Sequence, residues 1–275
     1  VDTTRKKVWA IEIDLLLQLD RVCKKYGLQY YLMFGSLLGS VRHHGFIPWD
    51  DDLDVCMPRK DYEELLKVGP DEFKDPYFFQ IPETDKGFFY TFAKIRNSNT
   101  TAFLELFQYQ RFNMGLMIDV MPMDVCSEED VEENFRLIQK LTRENTTFMR
   151  MTNPNLSDAD KIRVNEYPGG DPTERYYKIQ KIARKHEYEA QTHEKRIVAV
   201  NTIYRTEKMI LRATDLDQTI DCPFEQFSFP IPKGYDQILH TIYGNYMQFP
   251  PITERGTWHS DYLIDPDKSY KEYFH

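Results

Sequence analysis

The chain has 275 residues, with 44 acidic against 35 basic side chains and a formal charge of −9, long enough for one large domain or two small ones. That acidic balance argues against general nucleic-acid binding. A mean hydropathy of −0.60, with no unbroken apolar run of about 18 residues, argues against a transmembrane segment.

Residues 5–26 carry Val8, Ile11, Leu15, Leu19 and Val22 on one stripe and stop at Gly27, which predicts an amphipathic helix rather than a secretory signal. An aromatic-rich strand is expected at 30–34, a turn opening a short helix at 35–41, a strand at 52–57 ended by Pro58, and a helix at 59–68. Residues 77–81, 89–95, 101–107 and 114–120 read as four further strands. The texture then changes to a helix at 128–150, a loop at 153–172 and a long helix at 173–200, on which His186 and His193 read as packing residues. An extended segment from Phe224 leads to a short helix ending at Tyr243. The expected class is α+β: a core at 1–127, a helical region at 128–215, and a segment at 216–275 that packs back on the core. The four cysteines, Cys23, Cys56, Cys126 and Cys222, have neither zinc spacing nor a dense disulfide pattern. The expected setting is therefore the cytoplasm, including the inner face of the membrane.

Asp52 and Asp54 stand one residue apart in a strand-like run, so both side chains point to one face, about 6–7 Å apart, while Leu53 and Val55 turn to the core. Asp119, between Ile118 and Val120 in an apolar strand, is costly to ionise there unless paired or metal-bound. Such carboxylates suit Mg²⁺, with Mn²⁺ as its substitute, and Mg²⁺ shares its ligands with substrate phosphates. Asp50 is a further candidate ligand. An EF-hand built on Asp50, Asp52 and Asp54 fails because Val55 occupies the position that needs glycine. Gly35 and Ser36, at a turn opening a helix, offer backbone N–H groups and a hydroxyl to phosphate oxygens.

The strand, Gly-Ser turn and Asp-x-Asp strand resemble the nucleotidyltransferase fold, with one departure: 15 residues separate Ser36 from Asp52. Two runs, 34–42 (FGSLLGSVR) and 45–55 (GFIPWDDDLDV), closely resemble the LicD family of phosphocholine transferases, whose superfamily includes fukutin and the fukutin-related protein. The resemblance continues through residues 94–100 and 117–124 and, less specifically, through 229–235 and 243–247. It implies a Mg²⁺-dependent enzyme that moves phosphocholine or a related phosphoalcohol from CDP-choline or another CDP-alcohol. The acceptor would be a hydroxyl of a cell-surface glycan, a lipid-linked oligosaccharide or a teichoic-acid precursor, with CMP released. Asp52, Asp54 and Asp119 would be catalytic, sharing the metal with Asp50. Gly35, Ser36, Arg42, His44, Trp49, Lys94, Arg96 and Tyr243 would bind substrate, the cations facing the donor's phosphates. Tyr246 and Arg255 are further candidates to close over the donor. A nucleotide-sugar-dependent glycosyltransferase and a non-catalytic glycan-binding module are the competing readings.

Overall fold

In the computed structural model, which describes residues 1–273 apart from 89, 105–106, 128–130, 152, 154, 191–196, 201–207, 209, 257–258 and 260, helix α1 (Thr3–Tyr26) opens the chain. The Asp2 carboxylate caps it by accepting from the Arg5 N–H at 2.8 Å, and Gly27 ends it at φ 68°, a left-handed turn that glycine makes without strain. Val8, Leu15, Leu16, Leu19, Val22 and Cys23 line its buried face, and full burial of each large aliphatic among them contributes about 1.5–3 kcal/mol.

Next come β1 (Tyr31–Leu32), α2 (Phe34–His43), β2 (Asp54–Pro58), α3 (Arg59–Glu72), β3 (Tyr77–Gln80), β4 (Ala93–Asn97), β5 (Thr101–Leu104) and β6 (Leu116–Cys126). The second half holds α4 (Val131–Arg150), α5 (Asp158–Asn165), α6 (Pro172–Ala190), β7 (Ile197–Val200), β8 (Ile210–Arg212), β9 (Thr219–Phe224), β10 (Phe227–Pro232), α7 (Tyr235–Tyr243) and β11 (Tyr262–Asp265). The main sheet runs β1-β2-β6-β4-β3, with β7 on the end of β6 and β8 beside β7. Strands β2 and β6 are parallel while the other pairs are antiparallel. The fold is α+β around a mixed sheet. Two ribbons, β9–β10 and β5–β11, complete it.

Several elements depart from the sequence pattern for identifiable reasons. The strand expected at 30–34 shortens to two residues because Phe34 takes φ 51° and opens α2. The second strand begins at Asp54, leaving Asp52 on the loop before it. Strand β6 runs on to Cys126 through Pro122, which falls between the stretches paired with β4 and β7 and so disrupts neither ladder. The loop expected at 153–172 contains α5, capped by the Ser157 hydroxyl. The helix expected to reach residue 200 ends at Ala190, and β7 joins the main sheet, so the 128–215 region is not purely helical. His193 and the side chain of His186 lie outside the described residues.

A buried ion pair ties these layers together. Arg59, the first residue of α3, donates from Nε and Nη2 to the two carboxylate oxygens of Asp124 on β6 at 2.6 and 2.8 Å, and from Nη1 to Gln180 on α6. Removing one partner of such a pair leaves the other charge buried and uncompensated. We expect Asp124→Asn to lower the unfolding free energy by about 3–5 kcal/mol in urea titrations. A loss under about 1 kcal/mol would show that the pair is not a structural tie.

Candidate active site

Parallel pairing of β2 with β6 sets Asp54 directly opposite Asp119, and antiparallel pairing of β4 with β6 sets Lys94 on the other side of Asp119. Paired residues present their side chains to the same face, so the three converge. The Lys94 ammonium, almost fully buried and lying over the Tyr90 ring, forms an ion pair with Asp119. Burial holds its pKa below the usual lysine value. Met33 donates its N–H to the Asp54 carbonyl, and Asp54 donates its own N–H to the Ser36 hydroxyl at 2.8 Å. Ser36 is thereby fixed as a brace between α2 and β2.

The preceding loop adds three acids. One oxygen from each of Asp50, Asp51 and Asp52 lies within 4.8 Å of the others. So close an approach of like charges raises the Asp52 pKa further, and a proton or a bound cation would relieve it. Asp51, absent from the expected ligand set, is buried and faces His259 Nδ1 at 3.2 Å. Gly35 leaves room for Asp50: a Cβ at that position would stand 2.6 Å from an Asp50 carboxylate oxygen, which would have to move. Burial raises the pKa of Asp50, Asp52 and Asp54, and neighbouring acids add to it, Asp54 and Asp50 acting on Asp52 and Asp119 and Asp50 acting on Asp54. Glu12, buried on α1, is raised in the same way, first by burial and then by Asp51 and Asp50. An all-carboxylate donor set with a single lysine to offset it fits a hard divalent cation.

The other end of α2 is basic. Arg42 and Arg255 share two aromatic faces, lying 4.9 and 5.5 Å from the Phe249 ring centre and 6.0 and 5.0 Å from that of Trp49. Arg42 donates to the Tyr246 carbonyl at 2.6 Å and Arg255 to the Pro250 carbonyl at 2.9 Å. Among the described residues no carboxylate pairs with either. Burial and the charge of Arg255 lower the Arg42 pKa. Between the two ends stands Tyr243, the last residue of α7. Its phenol is pushed above its usual range by burial and by the charges of Asp54, Asp50 and Asp52.

Of the residues singled out in sequence, Gly35, Ser36, Asp50, Asp52, Asp54, Lys94 and Asp119 meet at the acidic end, Arg42, Trp49 and Arg255 at the basic end, and Tyr243 between them. Two do not join them. The Arg96 guanidinium is buried against the Gln80 side chain and the Gly115 carbonyl, the latter at 2.6 Å. His44 is the exposed left-handed cap of α2. Its neighbour His43 stacks on Phe249 at 5.4 Å instead.

Residues 27–155 match the family described as LicD/FKTN/FKRP, nucleotidyltransferase domain. The chain carries a LicD-family domain. The lipopolysaccharide cholinephosphotransferase LicD of Haemophilus influenzae is 38% identical over 71 residues, which is 26% of this chain and 27% of that protein. An uncharacterized protein of Rickettsia prowazekii is 38% identical over 57 residues, 21% of each chain. One of Rickettsia typhi is 37% identical over 61 residues, 22% of this chain and 19% of its own. The chain thus spans about a quarter or less of these curated relatives. The LicD domain contributes Asp50, Asp51, Asp52, Asp54, Lys94 and Asp119. Glu12, Tyr243, Phe249, Arg255 and His259 reach the same site from outside it.

Because the folded-state pKa values of Asp50, Asp52 and Asp54 are raised, the folded chain holds protons that the unfolded chain releases. The stability they contribute is present below about pH 4 and is lost as pH rises through the raised values. A cation bound to the carboxylates offsets that loss. The rise in Tm on adding Mg²⁺ should therefore grow between about pH 5 and 8; a rise independent of pH would contradict the cluster's charge state. Gly35→Ala should fold yet abolish that rise, since its Cβ displaces Asp50, and an unchanged Mg²⁺ response would exclude Asp50 from the site.

Proposed function

We propose that this chain is a transferase that moves a phosphoalcohol, phosphocholine first among the candidates, from a CDP-linked donor to a glycan hydroxyl. The observation that carries the reading is the convergence of Asp50, Asp52, Asp54 and Asp119 at one end of α2, with Arg42 and Arg255, which meet no carboxylate among the described residues, at the other. The family match and the cholinephosphotransferase name of the H. influenzae relative support the choice of phosphocholine.

The acceptor oxygen attacks the phosphorus that bears the alcohol, a phosphodiester bond forms, and the bond from that phosphorus to the bridging oxygen breaks, releasing CMP. Such transfers depend mainly on in-line positioning and charge neutralisation. Asp50, Asp52, Asp54 and Asp119 would hold Mg²⁺, which when bound would offset the charge of the donor's pyrophosphate. Asp119, the acid with Lys94 at its side, would accept the acceptor's proton. Arg42 and Arg255 are suited to the donor's anionic groups, because guanidinium pairs phosphate oxygens without losing its charge. Their aromatic faces, Trp49 and Phe249, hold the two groups in register. Ser36 acts by fixing Asp54, and Lys94 by fixing Asp119, rather than by touching phosphate as the sequence pattern suggests.

CMP release from CDP-choline, with a glycan acceptor and Mg²⁺, tests the reading. We expect EDTA to abolish it. We expect Asp54→Asn to lower the rate by ~10³-fold, the kinetic equivalent of several kcal/mol of charge stabilisation, and Arg255→Ala to raise KM for the donor. Release from CDP-ribitol or CDP-glycerol alone would keep the mechanism and change the alcohol. Turnover of UDP-sugars with none of CDP-alcohols would favour the glycosyltransferase reading, for which the Asp-x-Asp pair is the supporting feature.

A further inference from the structure

The buried stripe of α1 is apolar except at Glu12, which falls four residues after Val8 and three before Leu15. Glu12 is only 2% exposed, and its Oε2 has no hydrogen-bond partner. Its carboxyl lies within electrostatic reach of Asp51, Asp50, Asp54 and Asp119. The helix lies along the acidic loop. Trp9, one turn earlier, donates from Nε1 to the Asp50 carbonyl at 3.1 Å, and Arg5 donates to the Pro48 carbonyl at 3.4 Å.

A carboxyl retained for packing alone would be neutral and hydrogen-bonded, because an unsatisfied buried polar oxygen costs about 1–3 kcal/mol. An apolar residue of the same size would serve the helix better. Instead, six carboxyl groups (Glu12, Asp50, Asp51, Asp52, Asp54 and Asp119) have, among the described residues, one lysine, Lys94, and one histidine, His259, as basic neighbours. The orphaned oxygen and the excess negative charge share one remedy, a cation with oxygen ligands.

We propose that Glu12 is a carboxylate ligand, delivered by α1 from outside the LicD domain, for the divalent cation of the acidic loop. The inference rests on the cation reading above and extends its ligand set to a helix that precedes the Gly-Ser turn.

Mn²⁺ binding, followed by calorimetry and by the spectrum of the bound ion, tests this without reference to activity. Glu12→Gln keeps the shape and removes the charge. It should weaken Mn²⁺ binding by about 10-fold or more. Glu12→Leu, which fills the space without any polar atom, should show the same loss of Mn²⁺ affinity. Wild-type Mn²⁺ affinity and stoichiometry in both variants would overturn the role of Glu12 and leave the aspartate site standing. Absence of Mn²⁺ binding to the wild-type chain would overturn both.

Discussion

Asp54 and Asp119 are neighbours because β2 and β6 pair in parallel with those two residues in register. Two like charges about 5 Å apart repel by about 3 kcal/mol at an effective dielectric of ~20, and Asp50, Asp51, Asp52 and Glu12 increase that cost. The sheet supports it with buried apolar neighbours: Leu53 and Val55 flank Asp54, and Ile118 and Val120 flank Asp119, all 1% exposed or less. Shifting the register by one residue would send both acids into that core and bring the aliphatic side chains to the site. The hydrophobic pattern therefore fixes the electrostatic one.

The surroundings are arranged to keep this repulsion in place. Ser36 bonds the Asp54 backbone, the missing side chain of Gly35 admits Asp50, Lys94 restrains Asp119 and His259 restrains Asp51. Further out, the Arg59–Asp124 pair locks α3, β6 and α6 behind the sheet. Helix α2 then separates two opposite fields. Its ten residues span about 15 Å, with the carboxylates near its first turn and the Arg42–Arg255 pair near its last. A donor with a pyrophosphate and a nucleotide has charge to present to both.

The legible part of this site is the part written in short runs. Asp52, Asp54 and the Gly35-Ser36 turn are close in sequence, and Asp119 stands out as an acid in an apolar strand. What sequence could not rank was the partner of each cation. Lys94 and Arg96 alternate identically on β4, yet register puts Lys94 on Asp119 and directs Arg96 to Gln80 and Gly115. His43 and His44 differ only in which side of the α2 cap they fall, and the left-handed turn at His44 settles it. Phe249 and His259 come from a segment more than 190 residues after the acidic loop, with no periodic signal to place them, and Arg255 of the same segment is legible only as a candidate to close over the donor. Glu12 did leave a trace, a single acid on an otherwise apolar helical stripe, which reads as a tolerated interruption until the loop is seen beside it. Likewise β7 and β11 are short strands whose only signature is their partners, β6 and β5.

The central claim is that the carboxylates of the acidic loop and of β6 share a divalent cation. Crystals grown with Mn²⁺ and measured at its absorption edge test it most directly. The account predicts an anomalous peak with oxygens of Asp52, Asp54 and Asp119 as ligands. A well-ordered site with water alone between those carboxylates, or a peak located elsewhere on the chain, would contradict it.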